Sequence, residues 1–196
     1  MFPRIWLLCC ALGAPAAATA QHGGAPPPPP SAPPEARQLD FLVGQWELEV
    51  KVPAKGLAQK IHGVPKLSGS WKAWRAFEGF GIEDELSITD AAGNPVGLSH
   101  SMRIYDRAAR AWSVTTLDVY RAKFLPATAK WRNGELTQTS RGTDQDGKAY
   151  LTRSRFYAIG PQRFRFQQDR SYDEGKSWTE GTLRIAATRI AATAPH

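Results

Sequence analysis

In the segment Leu39–Trp46, which reads Leu-Asp-Phe-Leu-Val-Gly-Gln-Trp, a short apolar run ends in a glycine and a tryptophan. From there the residues alternate, so that Trp46, Leu48 and Val50 share one face of an extended chain and charged residues occupy the other. Alternation of this kind is typical of a strand with one buried and one exposed face. Gly44 permits a sharp entry into this strand because it has no Cβ. We expect a short helical plug, then a first strand whose tryptophan closes one end of a core.

The same alternation recurs along the rest of the chain, in short segments separated by turn-forming residues. Asp90–Pro95, Asp106–Arg110 and Asn133-Gly134 have the composition of tight turns, and Asn-Gly is a strong hairpin signal. Many short strands at regular spacing predict a sandwich or a barrel, and closure into a barrel removes exposed sheet edges. We therefore predict an all-β fold, a single antiparallel up-and-down β-barrel of about ten strands after the helical plug. The strands predicted after the first are 68–77, 80–89, 98–104, 112–118, 127–132, 135–143, 149–159, 163–171 and 177–188.

A family resemblance rests on the segment Phe41–Trp46. It resembles the first-strand signature of the calycin barrels, of which the Gly-x-Trp of lipocalins is the minimal form. The longer pattern Phe-Leu-x-Gly-x-Trp is similar to nitrobindin-like proteins and to a family of secreted bacterial barrels of unknown function. The resemblance covers Pro34 to Arg189 and implies a barrel that binds a small molecule, with Gly44 and Trp46 in structural roles.

The haem site of nitrobindin-like barrels is not carried over by this resemblance. Those proteins bind haem through a histidine near the C-terminus, whereas the late histidine here is the terminal residue, His196. His100 is the remaining candidate for an axial ligand, and it lies on a different strand from the family's histidine. We therefore predict no haem and no other cofactor.

The N-terminal residues read as an export signal. Arg4 supplies the charged start, Ile5–Leu12 the apolar region, and Ala18-Thr19-Ala20 the small-residue cleavage site. Both cysteines, Cys9 and Cys10, lie inside this signal, so we expect no disulfide in the mature chain. No apolar run is long enough for a transmembrane helix. The predicted parts are a signal peptide (1–20), a disordered linker rich in Pro, Ala and Gly (21–34), the barrel (35–190) and a disordered tail (191–196), and the predicted location is periplasmic or secreted.

The chain is basic, with a formal net charge of +7 over 196 residues. Its positive charges are spread along most of the strands, and the export signal argues against a nucleic-acid partner. We predict attraction to an acidic ligand or an anionic surface and no nucleic-acid partner. The basic segment Pro53–Lys66 is either a surface loop or a lid over the barrel mouth. The oligomeric state stays open.

Three polar residues interrupt otherwise apolar faces of consecutive strands: Asp84, His100 and Asp118. If the turns align Asp84 with His100 and His100 with Asp118, the three form one cross-strand row with neighbours about 5 Å apart. Buried polar groups must be hydrogen-bonded, so such a row is either a satisfied core cluster or a functional one. It could orient the polar group of a ligand, or form part of a metal or catalytic site.

These observations predict an exported protein that binds a small, largely apolar or amphipathic molecule in its barrel. The polar row would orient that molecule, while Trp112, Met102, Phe80 and Phe166 would supply apolar wall. The alternatives are an enzyme that uses the row and a structural protein of the cell envelope. The sequence contains no phosphate loop, nucleophile elbow or paired-cysteine motif. We therefore assign no catalytic residue and no metal ligand.

The later strands carry arginines and aromatic residues at opposite parity. The arginines are Arg153, Arg155, Arg163 and Arg165, and the aromatic residues are Tyr150, Phe156, Phe164 and Phe166. We expect the aromatic side chains inside the barrel and the arginines outside. In the alternative arrangement the arginines point inward and bind an acidic headgroup.

The segment Ser171–Trp178 matches the pattern Ser-x-Asp-x-Gly-x-x-Trp, which resembles the Asp-box hairpin of sialidase propellers. It occurs once, without the repeat that a propeller requires. We interpret it as a turn in which Asp173 accepts backbone hydrogen bonds and Gly175 takes a positive φ, with Trp178 as part of the motif.

Overall fold

The computed structural model describes residues 30–54, 63–144 and 146–190. The predicted signal peptide, most of the predicted linker, residues 55–62 of the proposed loop or lid, and the predicted tail lie outside these residues. Within the described ranges, no helix has the length and apolar character needed to cross a membrane.

Ten strands form a closed antiparallel barrel in which every strand pairs with its sequence neighbours and the first pairs with the last. The predicted all-β, ten-stranded up-and-down barrel is confirmed, and the predicted helical plug is the 3-10 helix Pro34–Leu39. A second 3-10 helix spans Phe77–Gly79. The strands are β1 (Gly44–Lys51), β2 (Leu67–Ala76), β3 (Gly81–Asp90), β4 (Pro95–Asp106), β5 (Ala111–Asp118), β6 (Lys123–Arg132), β7 (Glu135–Thr143), β8 (Ala149–Tyr157), β9 (Arg163–Ser171) and β10 (Thr179–Arg189).

The segment Leu39–Trp46 covers one end of the barrel. Trp46 is fully buried, its Nε1 donates to the carbonyl of Leu42 at 2.8 Å, and its ring packs edge-on against Phe164 at 4.8 Å. The guanidinium of Arg189 on β10 stacks on the Trp46 ring at 4.0 Å and donates to the Val43 carbonyl at 2.8 Å. The first and last strands are therefore held together by side chains as well as by the sheet ladder.

The aromatic residues Phe156, Phe164 and Phe166 and the arginines Arg163 and Arg165 lie on the faces expected for them. Phe156, Phe164 and Phe166 are buried in the core, whereas Arg163 and Arg165 are exposed on the outer face. This arrangement buries the aromatic area and leaves the charges in water, as the free energies of transfer favour.

An irregularity in the β3–β4 hairpin changes the register of the sheet. Thr89 pairs with Pro95, but Ile88 pairs with Gly97, so Val96 is an extra residue in β4. An extra residue of this kind is a β-bulge, and it turns every later side chain of the strand to the opposite face.

The predicted alignment of the polar row is therefore wrong. Asp84 lies opposite Ser101, and Asp118 lies opposite Ser99, whereas His100 pairs with Leu117. A shift of one residue has turned His100 to the outer face of the barrel.

Candidate functional site

The barrel lumen contains a cavity of about 460 Å³. Its lining reaches from buried Asp84 and Arg103 to Tyr120 and Arg121 in the turn between β5 and β6. Tyr120 is 54% exposed, so the cavity opens among the turns at the end of the barrel remote from the plug. The lumen is therefore the candidate functional site.

The cavity has walls of different polarity. Hydroxyl and amide side chains of β4, β5 and β7 to β9 line part of the cavity. Some of them hydrogen-bond to one another, since Ser101 Oγ lies 2.9 Å from Thr116 Oγ1. The wall therefore contains more polar side chains than the three that were predicted to orient a ligand. Its main apolar residues are Trp71, Leu86, Ile88, Phe156, Phe166 and Leu183, and its polar ones include Ser99, Ser101, Thr116, Gln138, Ser140, Thr152, Ser154 and Gln168.

A buried ion pair lies at the inner end of this cavity. Asp84 and Arg103 are 1% and 3% exposed and pair through Oδ2 and Nη1, while Trp71 Nε1 donates to Asp84 Oδ1 at 2.8 Å. Burial lowers the pKa of Arg103 to about 10, so it stays charged at neutral pH. Sequence reasoning missed Arg103 because it assigned the opposite face of β4 to the lumen. The alternating polar residues Ser99, Ser101 and Arg103, which share one face of β4, are the sequence signal that could have identified Arg103.

Charged and aromatic residues surround the mouth. Arg121 Nη1 lies 2.6 Å from Asp118 Oδ2, and Arg141 lies 2.9 Å from Glu174. Arg170, which sequence reasoning also missed, lines the cavity from β9.

The structure brings only part of the predicted ligand site together. Asp84, Asp118 and Phe166 line the cavity, and their role in binding stays a prediction. His100 is on the outer face, 5.8 Å from the Trp74 ring and 3.7 Å from Glu83.

The three other predicted wall residues do not line the cavity either. Met102 points outward and is 37% exposed. Trp112 is buried in the core, where its Nε1 donates to Gln38 Oε1 of the plug at 3.1 Å. Phe80 is half-buried at the end of the 3-10 helix Phe77–Gly79.

The enzymatic alternative depended on an imidazole between two carboxylates inside the barrel. With His100 outside, that arrangement does not form. Among the residues that the structure covers, no group of three or more His, Cys, Asp or Glu side chains could hold a metal ion.

The Ser171–Trp178 segment forms a compact turn between β9 and β10. Asp173 accepts from the backbone N–H and the hydroxyl of Ser177 at 2.9 and 2.6 Å, and from the Ser171 hydroxyl at 2.7 Å. Gly175 has a φ of 85°, and Trp178 Nε1 donates to its carbonyl at 3.1 Å. These hydrogen bonds engage both carboxylate oxygens of Asp173, so the segment acts as a turn.

These hydrogen bonds, with the Ser177 hydroxyl first, lower the pKa of Asp173 from its ordinary 3.8 to about 2. Because the folded pKa is depressed, the stabilisation is complete above the unfolded pKa and is lost as the pH falls through about 2. We expect the difference in unfolding free energy between the wild type and Asp173→Asn, measured in urea, to narrow as the pH falls from 3.8 to about 2. A carboxyl carbon of Asp173 that titrates at its ordinary value by NMR would contradict this assignment.

Comparison with known proteins gives the fold but no family. No protein-family model matches the chain, and no curated protein matches its sequence. Among solved structures, the barrel is similar to the S-type phycobiliprotein lyase CPES from Guillardia theta, with a TM-score of 0.52 and 9% identity over 79% of this chain and 92% of that one. At this identity the likeness shows the fold alone. It is in line with the calycin-like barrel that the segment Phe41–Trp46 resembles.

Proposed function

We propose that this protein is an exported binding protein that holds a small amphipathic molecule in its barrel lumen. The observation that carries the proposal is the cavity of about 460 Å³, which has both apolar and hydroxyl-rich walls. Ligand pockets typically measure about 300–1,000 Å³ and combine apolar lining with a few placed polar groups. The fold likeness to a phycobiliprotein lyase supports the proposal at the level of the barrel, and the export signal predicted from the sequence supports the location.

The lining suggests how such a molecule lies. Its apolar part packs against Trp71, Leu86 and Phe166, where burial contributes roughly 25 cal/mol per Å² of apolar area. Its polar groups hydrogen-bond to the serine and threonine side chains of the facing strands. Asp118 lies at the mouth, where its carboxylate is already paired with Arg121.

Filling the lumen tests the proposal. Ser99 lies on β4 and lines the cavity. The substitution Ser99→Phe therefore places an aromatic ring in the space that a ligand would occupy. We expect the affinity for Nile red, a neutral apolar dye, to fall by at least tenfold, which corresponds to about 1.4 kcal/mol. Fluorescence titration measures the affinity, and circular dichroism verifies the fold of the variant.

Ser113→Phe is the matched control, because Ser113 is exposed on the outer face of the neighbouring strand. This variant should bind the dye as the wild type does. Equal dye affinity in all three proteins would show that the dye binds elsewhere and would count against the lumen. Native mass spectrometry of protein purified from its host should also detect a retained small molecule in the wild type and lose it in Ser99→Phe.

A further inference from the structure

Buried polar atoms without a hydrogen-bond partner are concentrated in the cavity wall. Within the described ranges there are five such side-chain atoms, and they belong to Asp84, Arg103, Gln138 and Arg170, all of which line the cavity. Asp84 Oδ2 and Arg103 Nη1 face each other in the ion pair. Arg103 Nε, Gln138 Oε1 and Arg170 Nε remain. Burying such groups unpaired is unfavourable, so this wall carries polar groups whose hydrogen-bonding capacity the protein alone does not meet.

The charges of the lining do not balance. The cavity is lined by two aspartates and four arginines. Arg103 pairs with Asp84 and Arg121 with Asp118, while Arg141 pairs with Glu174, which is outside the lining. Arg170 has no carboxylate within ion-pair distance among the residues that the structure describes. Among the four arginines of the lining, Arg170 is therefore the one without an ion-pair partner in the described ranges.

The guanidinium of Arg170 is held in place by two tyrosines. It stacks on the Tyr150 ring at 4.1 Å from the centroid, and its Nη1 donates to the Tyr172 hydroxyl at 3.3 Å. Across the ladder it lies beside Thr152, another inward residue of the cavity wall. A planar guanidinium that is already oriented loses little entropy when it binds a carboxylate through two parallel hydrogen bonds.

We propose that the occupant is an amphipathic organic acid with a single negative charge, whose acid group binds Arg170. This inference rests on the proposed function and adds the chemical class of the ligand. The apolar part of the acid lies against Trp71 and Phe166. Arg103 does not bind the acid group, since Asp84 already neutralises it.

A charged probe and its neutral ester test the inference. We use 11-(dansylamino)undecanoic acid and its methyl ester, titrated by fluorescence at low salt. The wild type should bind the acid at least about tenfold more tightly than the ester, in line with a hydrogen bond to a charged group. Arg170→Gln should bind acid and ester equally. The matched control Arg165→Gln, on the exposed outer face of the same strand, should keep the preference for the acid.

Arg170→Lys is a second variant that keeps the charge and loses the planar fork. It should still prefer the acid, by a smaller factor than the wild type. Equal binding of acid and ester by the wild type would overturn the acid proposal and leave the binding function in place. A preference that survives unchanged in Arg170→Gln would overturn the role of Arg170. If neither probe binds the wild type, the inference and the proposed function both fail.

Discussion

Asp84→Ala should destabilise the barrel by about 3–5 kcal/mol, because it leaves the guanidinium of Arg103 buried without its counter-ion. Both side chains are nearly inaccessible to solvent, and Asp84 also accepts the indole N–H of Trp71. The free energy of unfolding in urea measures the loss. Glu85→Ala is the control, since Glu85 is the next residue along β3 and is exposed. It should change the stability by less than about 0.5 kcal/mol.

The double variant Asp84→Ala with Arg103→Met tests whether the lost stability comes from the unpaired charge of Arg103 or from the lost contacts of Asp84. Replacing a whole buried ion pair by apolar groups is often neutral or stabilising, whereas removing one partner is costly. We therefore expect the double variant to recover most of the stability that Asp84→Ala loses. A double variant that is less stable than Asp84→Ala alone would contradict the explanation that the unpaired charge of Arg103 causes the loss.

Trp46→Ala should cost about 3–5 kcal/mol, the usual range for a large aromatic side chain removed from a core. The change removes the edge-on contact with Phe164 and the surface on which Arg189 stacks. Trp74→Ala is the matched control, because Trp74 lies on the outer face of β2 and is 40% exposed. Chemical denaturation measures the unfolding free energy of both variants. If Trp46→Ala lost no more stability than Trp74→Ala, the role of Trp46 in closing one end of the barrel would be contradicted.

The closed barrel could be predicted because each strand alternates strongly and the turns are marked by composition. Asp84 and Asp118 could be found in the same way, as polar residues on apolar faces. The register of β4 could not, because the bulge at Val96 depends on hairpin geometry rather than on any local pattern. On that strand the apolar residues Met102 and Ile104 face outward, and the lumen receives the polar set that ends in Arg103. One inserted residue therefore turned His100 outward and Arg103 into the lumen.

The contact between Arg189 and the segment before β1 has a consequence for how the chain folds. The guanidinium reaches carbonyls 146 and 148 positions earlier in the chain. Proteins dominated by such distant contacts fold slowly, in milliseconds to seconds, because loop-closure entropy is lost before the contacts form. The barrel cannot close until its last strand pairs with its first, so a chain in which β10 has not yet docked exposes two unpaired edges, those of β1 and β9.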